Sequence, residues 1–427
     1  MGKRRQFKPR DISREPRYVV GMDAHTKKLS LSVWDWADRF SPRPAKEFRS
    51  IGIEEMETVY RRHIDTDSVT VIEATTNADS LKRRLEAAGY AAKVVRADTL
   101  AGKERRRKVC DIQDARNLAR AYISGDTGDV VMTPSEQTAE RRELLAAYRE
   151  SVKETTRLSN RIWSLCTAKG LKPPKGRGPQ KVAQLRNAIE EAGIGGVAKM
   201  RFEALADDYG RMWARRGDLE RRIAEAVATT PEMRALMQLP GVAHRGAFAL
   251  VAAVGDIHRF ATPAKLAAYG GFAPELNTTG DEEERARRRG GTGKPLDGEG
   301  RRDLKDYFTE AGQIVMKSLP KSPLGRWGWS MFNRGKEWNK VVTAIGRKLL
   351  TYAWHILRGD PTPNRHDEEF FSRKMTSLHM AVGAKRMREL GSGTRKQFAA
   401  LACEAVYGAL SKQELESSTS ENDQQVS

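Results

Sequence analysis

The chain contains a pair of carboxylates whose spacing suits metal chemistry. Asp111 and Asp114 lie three residues apart at the start of an apolar, alanine-rich run. On a helix, residues i and i+3 share one face, so both side chains would point the same way. Four basic residues come directly before them, namely Arg105, Arg106, Arg107 and Lys108. Such a pair beside a basic cluster suits a site that holds divalent metal and attracts phosphate. The alternative is a solvated helix face whose acids are favoured by the helix dipole.

Two further carboxylates follow predicted strands. The run from Tyr18 to Met22 is apolar and rich in β-branched residues, which predicts a strand that ends at Asp23. A second buried strand is predicted from Ser68, with Glu73 at its carboxyl end. An Asp in such a place can also cap a turn. If these two acids converge with the helical pair, the four would repel one another. Two Mg²⁺ or Mn²⁺ ions would neutralise them and bridge a phosphate.

The elements that must position these carboxylates follow an α/β pattern. The predicted order is β-β-(α)-β-α-β-α, with helices at 53–64 and 78–88. Gly89 favours the end of the second of these helices. In open α/β sheets, functional sites gather at the carboxyl ends of strands. The sequence therefore predicts an α/β catalytic domain at residues 17–130, with its acids at one edge of the sheet.

The composition indicates a polyanionic partner. The 427 residues carry a formal net charge of +20, and the sequence pI is about 9.9. This excess favours nucleic acid, and an anionic membrane surface is the alternative. No uninterrupted apolar run is long enough to span a bilayer. Three widely separated cysteines, Cys110, Cys166 and Cys403, give no zinc spacing and no disulfide framework, so we expect a cytoplasmic protein.

The remaining segments differ in composition. Residues 1–16 are predicted to be a basic N-terminal arm, which can touch phosphate or serve only for solubility. Residues 131–232 have apolar positions at helical spacing, which predicts a helical, partly coiled-coil arm; an ordinary helical bundle is the alternative. A mainly α-helical C-terminal domain is expected at 233–358. An accessory helical segment at 359–412 and a disordered tail at 413–427 would follow it.

Three stretches of the C-terminal domain are candidates for nucleic-acid binding. A helix-hairpin-helix-like element contains Gly241 and Arg245, and its turn would leave backbone N–H groups free for phosphate, unless it is an ordinary tight turn. A basic loop supplies the predicted contacts Arg287, Arg288, Arg289 and Lys294, which can instead pair with the acids before them. A third stretch interleaves aromatics with bases, which suits stacking on unpaired nucleotides or forms a small aromatic core. Its residues are Arg326, Trp327, Trp329, Phe332, Arg334, Lys336, Trp338 and Lys340.

Taken together, these motifs resemble the DEDD-type insertion-sequence transposases, a family that includes the Piv-like DNA invertases and the bridge-RNA-guided recombinases. The first region of resemblance combines Gly21-Met-Asp23, Val71-Ile-Glu73-Ala-Thr and Asp111-Ile-Gln-Asp114-Ala-Arg. The second combines Leu239-Pro-Gly241, Val254-Gly-Asp256-Ile-His-Arg-Phe260, Leu266-Ala-Ala-Tyr269-Gly-Gly-Phe-Ala-Pro274 and Arg347-Lys-Leu-Leu350. The resemblance implies a RuvC-like, RNase H-fold domain followed by a helical arm and a C-terminal transposase domain. It also implies metal-dependent, site-specific strand exchange in DNA.

The resemblance assigns roles to individual residues. Asp23, Glu73, Asp111 and Asp114 match the family's metal-binding tetrad. The family's C-terminal domain supplies a serine nucleophile before a glycine, whereas this chain has Thr278-Thr279-Gly280 at the matching place. Thr279 is the predicted nucleophile and Thr278 the alternative, because a threonine hydroxyl can attack phosphorus although its methyl group crowds the approach. The implied partners are DNA of the element ends and target, a guide RNA in some members, and further copies in a homodimer or homotetramer.

Three functions stay open from the sequence. The first is a DNA transposase or site-specific recombinase whose acids meet a threonine hydroxyl. The second is a metal-dependent, junction-type nuclease without a covalent intermediate. The third is a catalytically impaired, nucleic-acid-binding derivative. The four acids argue against the third function, because carboxylates that repel one another would not be retained in a site that is no longer catalytic.

Overall fold

The protein divides into two compact units. In the computed structural model, the described residues are 15–96, 111–125, 130–273, 300–360 and 368–408. The first unit comprises Met1–Pro134 and the second Ser135–Ser427. The predicted domain boundary at residue 130 lies close to this division. The predicted boundaries at 232 and 358 lie inside the second unit and stay predictions.

The first unit is built on a six-stranded mixed sheet with the strand order β3-β2-β1-β4-β5-β6. Strands β1, β2 and β3 form an antiparallel meander, β4 and β5 run parallel to β1, and β6 is antiparallel to β5. The strands are β1 (Tyr18–Ala24), β2 (Lys28–Asp35), β3 (Lys46–Gly52), β4 (Ser68–Glu73), β5 (Ala91–Val95) and β6 (Val130–Val131). The α/β character predicted for this part of the chain is confirmed, with β3 and β6 as additional strands.

Helices cover both faces of this sheet. They are α1 (Met56–His63), preceded by a 3-10 turn at Ile53–Glu55, α2 (Ala78–Ala87) and α3 (Asp111–Ser124). Because strand side chains alternate between faces, Val20 and Met22 of β1 pack with α1 and α2. Val19 packs on the opposite face with Leu118 of α3. Strands β1 and β4 therefore each contribute to two apolar layers, which explains their nearly continuous apolar runs.

The regular secondary structure that the structure describes in the second unit is all helical. Its first helices are α4 (Glu136–Ala168), α5 (Pro179–Glu191), α6 (Gly196–Thr229), α7 (Pro231–Leu236), α8 (His244–Val254) and α9 (Pro263–Tyr269). The later ones are α10 (Arg302–Ser318), α11 (Pro323–Asn333), α12 (Trp338–Arg358), α13 (Glu368–Val382), α14 (Ala384–Glu389) and α15 (Arg395–Cys403). A π-helical turn at Glu404–Gly408 follows. The expected α-helical C-terminal region is confirmed.

The long helices α4 and α6 connect two separate cores. The beginning of α4 and the end of α6 join a large core with α7 to α15, whereas Leu158 and Phe202 lie in a smaller core with α5. Helix α6 is continuous through Gly210, and the partly buried Met212 and Trp213 extend its apolar face beyond Tyr209.

The accessory helices α13 to α15 pack on the large core. Phe371 and Met375 of α13 are fully buried there. The Lys374 ammonium donates to the carbonyls of Met237, Leu239 and Val242 at 2.8, 2.6 and 2.7 Å. All three of its donors are thus used to hold the turn between α7 and α8. The accessory segment is therefore packed on the domain through its described residues.

Candidate metal centre and nucleic-acid interface

Strand register brings Asp23 and Glu73 to one edge of the sheet. Met22 of β1 stands opposite Ile72 of the parallel strand β4, so the next residue on each strand is an acid. Side chains alternate along a strand, and Asp23 has the same parity as Val19, which faces α3. Glu73 has the same parity as Val71, which also faces α3. Both carboxylates therefore follow apolar side chains that pack towards this helix.

A glycine lets α3 lie directly on β1. A Cβ atom on Gly21 would lie 1.8 Å from the carbonyl oxygen of Ala115, so only glycine permits this approach. Ala115 and Ala119 are fully buried on the facing side of the helix. The first turn of α3 contains Asp111 and Asp114. Close packing of α3 on β1 thus places Asp111 and Asp114 near Asp23 and Glu73.

The electrostatics of the four acids show that they act on one another. Asp23 is only 5% exposed, and burial raises its pKa from 3.8 to about 6, with further upward contributions from the other three carboxylates. Burial, followed by the charge of Asp114, raises the pKa of Glu73. Burial and the charge of Asp111 raise the pKa of Asp114. Like charges held this close disfavour full ionisation, which a bound cation would reverse.

An imidazole that we did not predict lies among these acids. His25 Nε2 is 3.4 Å from both Asp23 Oδ2 and Asp111 Oδ1. Donor atoms of these three residues all lie within 4.8 Å of one another, which is close enough to share one ion. His25 lowers the pKa of Asp23 and so partly offsets the repulsion. The sequence shows that His25 follows Asp23 by two residues. Its proximity to Asp111 depends on how α3 packs on β1, which the sequence does not show.

The donor chemistry fits a hard or borderline divalent cation. Asp23 and Asp111 supply carboxylate oxygens, which Mg²⁺ prefers, and the imidazole of His25 beside them is compatible with Mn²⁺. Glu73 and Asp114 act on Asp23 through their charge but are not in this three-residue group. Asp23 is buried, whereas the side chain of Asp111 is 53% exposed, so the cluster opens to solvent on the helix side. A polyanionic substrate could approach from that side. The arrangement can therefore hold a metal ion between the sheet edge and a phosphate.

Several predicted site residues lie outside the described residues. They are Arg105, Arg106, Arg107, Lys108, Thr278, Thr279, Arg287, Arg288, Arg289 and Lys294. The structure describes Gly241 and Arg245. Gly241 has φ +72°, and a Cβ on it would lie 2.5 Å from the carbonyl oxygen of Ala311, so its turn is packed against α10. Arg245 donates to the Tyr148 hydroxyl at 3.0 Å and lies 3.7 Å from Glu220, so it takes part in intramolecular packing.

Comparisons with known proteins show what parts of this chain are similar to. Residues 233–322 match the family described as Transposase IS116/IS110/IS902 family. A pilin gene-inverting protein of Moraxella bovis is 25% identical over 185 residues, which cover 42% of this chain and 55% of that protein. Both matches are to proteins that rearrange DNA, and they agree with the resemblance seen in the sequence. The family match covers residues 233–322 and no other part of the chain.

The matched segment lies within residues 233–358, where we expect the C-terminal transposase domain, and the bounds of that domain stay predictions. It contains the turn between α7 and α8 as well as α9. The chain spans about half the length of the relative that it matches. Among the described residues, we find no helix with the length and apolar composition needed to cross a membrane.

Proposed function

We propose that this chain is a metal-dependent DNA recombinase that cuts and rejoins strands of a mobile element. The observation that carries the proposal is the cluster of four interacting carboxylates at one sheet edge, in a chain that also has a transposase domain. The α/β unit would belong to the RuvC-like, RNase H-fold class, which the resemblance implies. A sheet edge with paired acids is a suitable support for phosphoryl transfer, because such sites form at the carboxyl ends of strands.

The acids would hold two ions, Mg²⁺ or Mn²⁺. When bound, such ions stabilise the attacking and leaving oxygens of a phosphate in an in-line displacement. Asp23 would serve as the buried ligand, since it is within electrostatic reach of the other three carboxylates. Asp111 and Asp114 would bind from the helix side, and Glu73 from the neighbouring strand. Their scaffold is rigid, so the geometry needs little rearrangement on binding.

The nucleophile would come from the transposase domain. Thr279 is our assignment, with Thr278 as the alternative, because a hydroxyl next to Gly280 stands where the family has serine. A composite site of this kind fits a homodimer or homotetramer in which different copies supply the acids and the hydroxyl. The partners would be double-stranded DNA of the element ends and target, with a structured RNA as guide. The net charge of +20 suits these polyanions, and the protein would act in the bacterial cytoplasm.

The test uses two variants with acids in equivalent helix positions. Asp111→Asn removes an acid from the first turn of α3. Asp79→Asn removes one from the first turn of α2, which packs on the opposite face of the sheet. Each protein is incubated with Mg²⁺ and labelled element-end DNA, with and without RNA transcribed from the flanks of the element. The products are separated on a denaturing gel. We expect cleavage by the wild type and by Asp79→Asn, and none by Asp111→Asn.

The same gel identifies the nucleophile. A covalent protein–DNA adduct that is absent in Thr279→Ala and present in the wild type would support the recombinase with a threonine nucleophile. An adduct that is lost only in Thr278→Ala would move the role to that residue. Cleavage without an adduct would point to a junction-type nuclease. Normal cleavage by Asp111→Asn would show that the acid cluster is not the catalytic centre.

A further inference from the structure

The aromatic residues at the end of α11 and the start of α12 form a compact platform. The rings of Trp329, Phe332 and Trp338 meet edge to face in all three pairs, with centroids 5.5, 6.1 and 5.7 Å apart. The indole N–H of Trp329 donates to the carbonyl of Met316 at 3.0 Å, which fixes the orientation of that ring. The platform is therefore rigid, so a ligand that stacks on it loses little freedom in the protein.

The platform is not closed over as an aromatic core would be. Phe332 is 37% exposed. An open cleft of about 880 Å³ lies beside the platform, and Trp329 forms part of its wall. Trp329 and Trp338 pack on the large core, so a part of the platform does serve as an aromatic core. Phe332 and the cleft wall at Trp329 remain open to solvent, which leaves room for a ligand.

The cleft is strongly basic. Lys321, Arg326 and Arg334 line it, and no carboxylate is among the described residues of its wall. Neither arginine forms an ion pair with any acid that the structure describes. Arg326 and Arg334 donate instead to the carbonyls of Lys321 and Ser330, which leaves further donors of each guanidinium available. Between residues 317 and 340 the sequence has six basic side chains and one acid, Glu337. A cleft with this charge suits an anionic ligand.

We propose that this cleft binds an unpaired nucleotide segment of a single-stranded nucleic acid. A base would stack at Trp329, which forms part of the cleft wall, and against the partly exposed ring of Phe332 beside it. Arg326 and Arg334 lie about two turns apart on α11, roughly 12 Å along the axis, so each can take a different phosphate of the strand. Stacking is tolerant of sequence, because every base has a π face. The inference rests on the proposed function only in taking a nucleic acid as the partner. It adds a site in the second unit for strands that are not in a duplex.

The test measures binding to the full chain in EDTA, so that it does not depend on metal or cleavage. Labelled short strands of oligo-dT, oligo-rU and an abasic deoxyribose strand, together with a duplex of the same length, are titrated by fluorescence anisotropy. The lead variant is Phe332→Ala, because its partly exposed side chain can be removed without opening the core. Its control is Leu401→Ala, a similar truncation at a residue that is 63% exposed.

The charge on the cleft is tested with a second matched pair. Arg334→Gln removes a guanidinium whose Nε donates to a carbonyl four residues earlier, at Ser330. Arg388→Gln removes one that makes the same contact with Ala384 on α14. We expect Arg334→Gln to weaken binding to all single strands, including the abasic one, and to reduce the salt dependence by about one phosphate contact. Arg388→Gln should leave both quantities unchanged.

The stacking component separates from the charge component. We expect Phe332→Ala to weaken binding to oligo-dT and oligo-rU about tenfold and to leave the abasic strand and the duplex unaffected. A preference for oligo-rU would identify RNA as the natural strand, and a preference for oligo-dT would identify unpaired DNA. If Phe332→Ala and Trp329→Leu both bind every strand as the wild type does, the cleft is not a nucleotide site. Binding is measured without metal, whereas cleavage requires it. Cleft-dependent binding without cleavage would therefore mark failure of the metal centre alone, so failure of the metal centre and failure of this site are distinguishable.

Discussion

Substituting Asp23 by asparagine should stabilise the metal-free protein at neutral pH. Burial and three neighbouring carboxylates raise the pKa of Asp23 from 3.8 to about 6, so its charged form is disfavoured in the folded state. That difference corresponds to about 3 kcal/mol of stability, which is present at low pH and lost as the pH rises through 6. At pH 7.5 the wild type has lost this contribution to its stability. Asp23→Asn has no charge at this position, so the neighbouring carboxylates do not repel it.

The pH dependence of this effect gives its sharpest measure. Between pH 7.5 and pH 5 the folded wild type becomes protonated at Asp23. Because pH 5 lies about one unit below the pKa in the folded state, its free energy of unfolding rises by about 1.4 kcal/mol. The advantage of Asp23→Asn should therefore shrink by about this amount. This change does not depend on how well the asparagine amide fits the site. Urea denaturation in EDTA at the two pH values measures it directly.

A matched control removes an acid from the same unit away from the cluster. Asp38 is exposed in the turn after β2 and lies beyond the opposite end of β1, because Asp35 pairs with Tyr18. Asp38→Asn should change stability little, and equally at both pH values. Added Mn²⁺ should stabilise the wild type and Asp38→Asn but not Asp23→Asn. An advantage of Asp23→Asn that is the same at pH 5 and pH 7.5 would refute the electrostatic account of the cluster.

Three further substitutions test how the fold supports the site. Gly21→Ala should lower the free energy of unfolding by about 3 kcal/mol and weaken Mn²⁺ binding, because its Cβ would displace α3. Its control is Gly217→Ala on α6, where a Cβ meets open space, and which should be neutral or slightly stabilising in the same urea titrations. Lys374→Met should lower stability by about 2 kcal/mol or more, because three carbonyls lose their donor, whereas exposed Lys385→Met on α14 should not. Ser135→Ala should lower the melting temperature through the loss of about 1 kcal/mol, since the Ser135 hydroxyl accepts the Thr138 N–H at the start of α4.

The sequence predicted those elements whose apolar pattern is unambiguous. Strands β1 and β4 are buried on both faces, so their apolar runs and the acids at their ends are evident from the amino-acid sequence alone. Strand β3 was missed because it lies at the edge of the sheet and most of its side chains are half-exposed or exposed. It also contains Ser50, with φ +51°, near a register shift against β2. Strand β6 has only two residues, too few for any periodic signal.

The composition of the site was predictable only in part. The spacing of Asp111 and Asp114 and the strand ends at Asp23 and Glu73 are local patterns, which a sequence displays directly. The approach of His25 to Asp111 joins residues 86 positions apart and depends on how α3 seats on β1. No local pattern contains that information. The packing of Gly241 against Ala311 is another case, because a turn glycine suggested phosphate contact while tertiary packing supplied a second reason for it.

The way in which α3 is held explains how four repelling acids can persist in one place. The helix is fixed by apolar contacts of Leu118 and Ala119 and by the close approach at Gly21, not by the acids themselves. Asp111 and Asp114 are therefore held near Asp23 and Glu73 at a cost in stability, which appears as raised pKa values. A site that only needed stability would relieve this repulsion by a single substitution. A rigid scaffold that holds the four acids together has its ligands already arranged for a divalent cation. Cation binding would therefore remove the repulsion between the carboxylates that destabilises the metal-free fold.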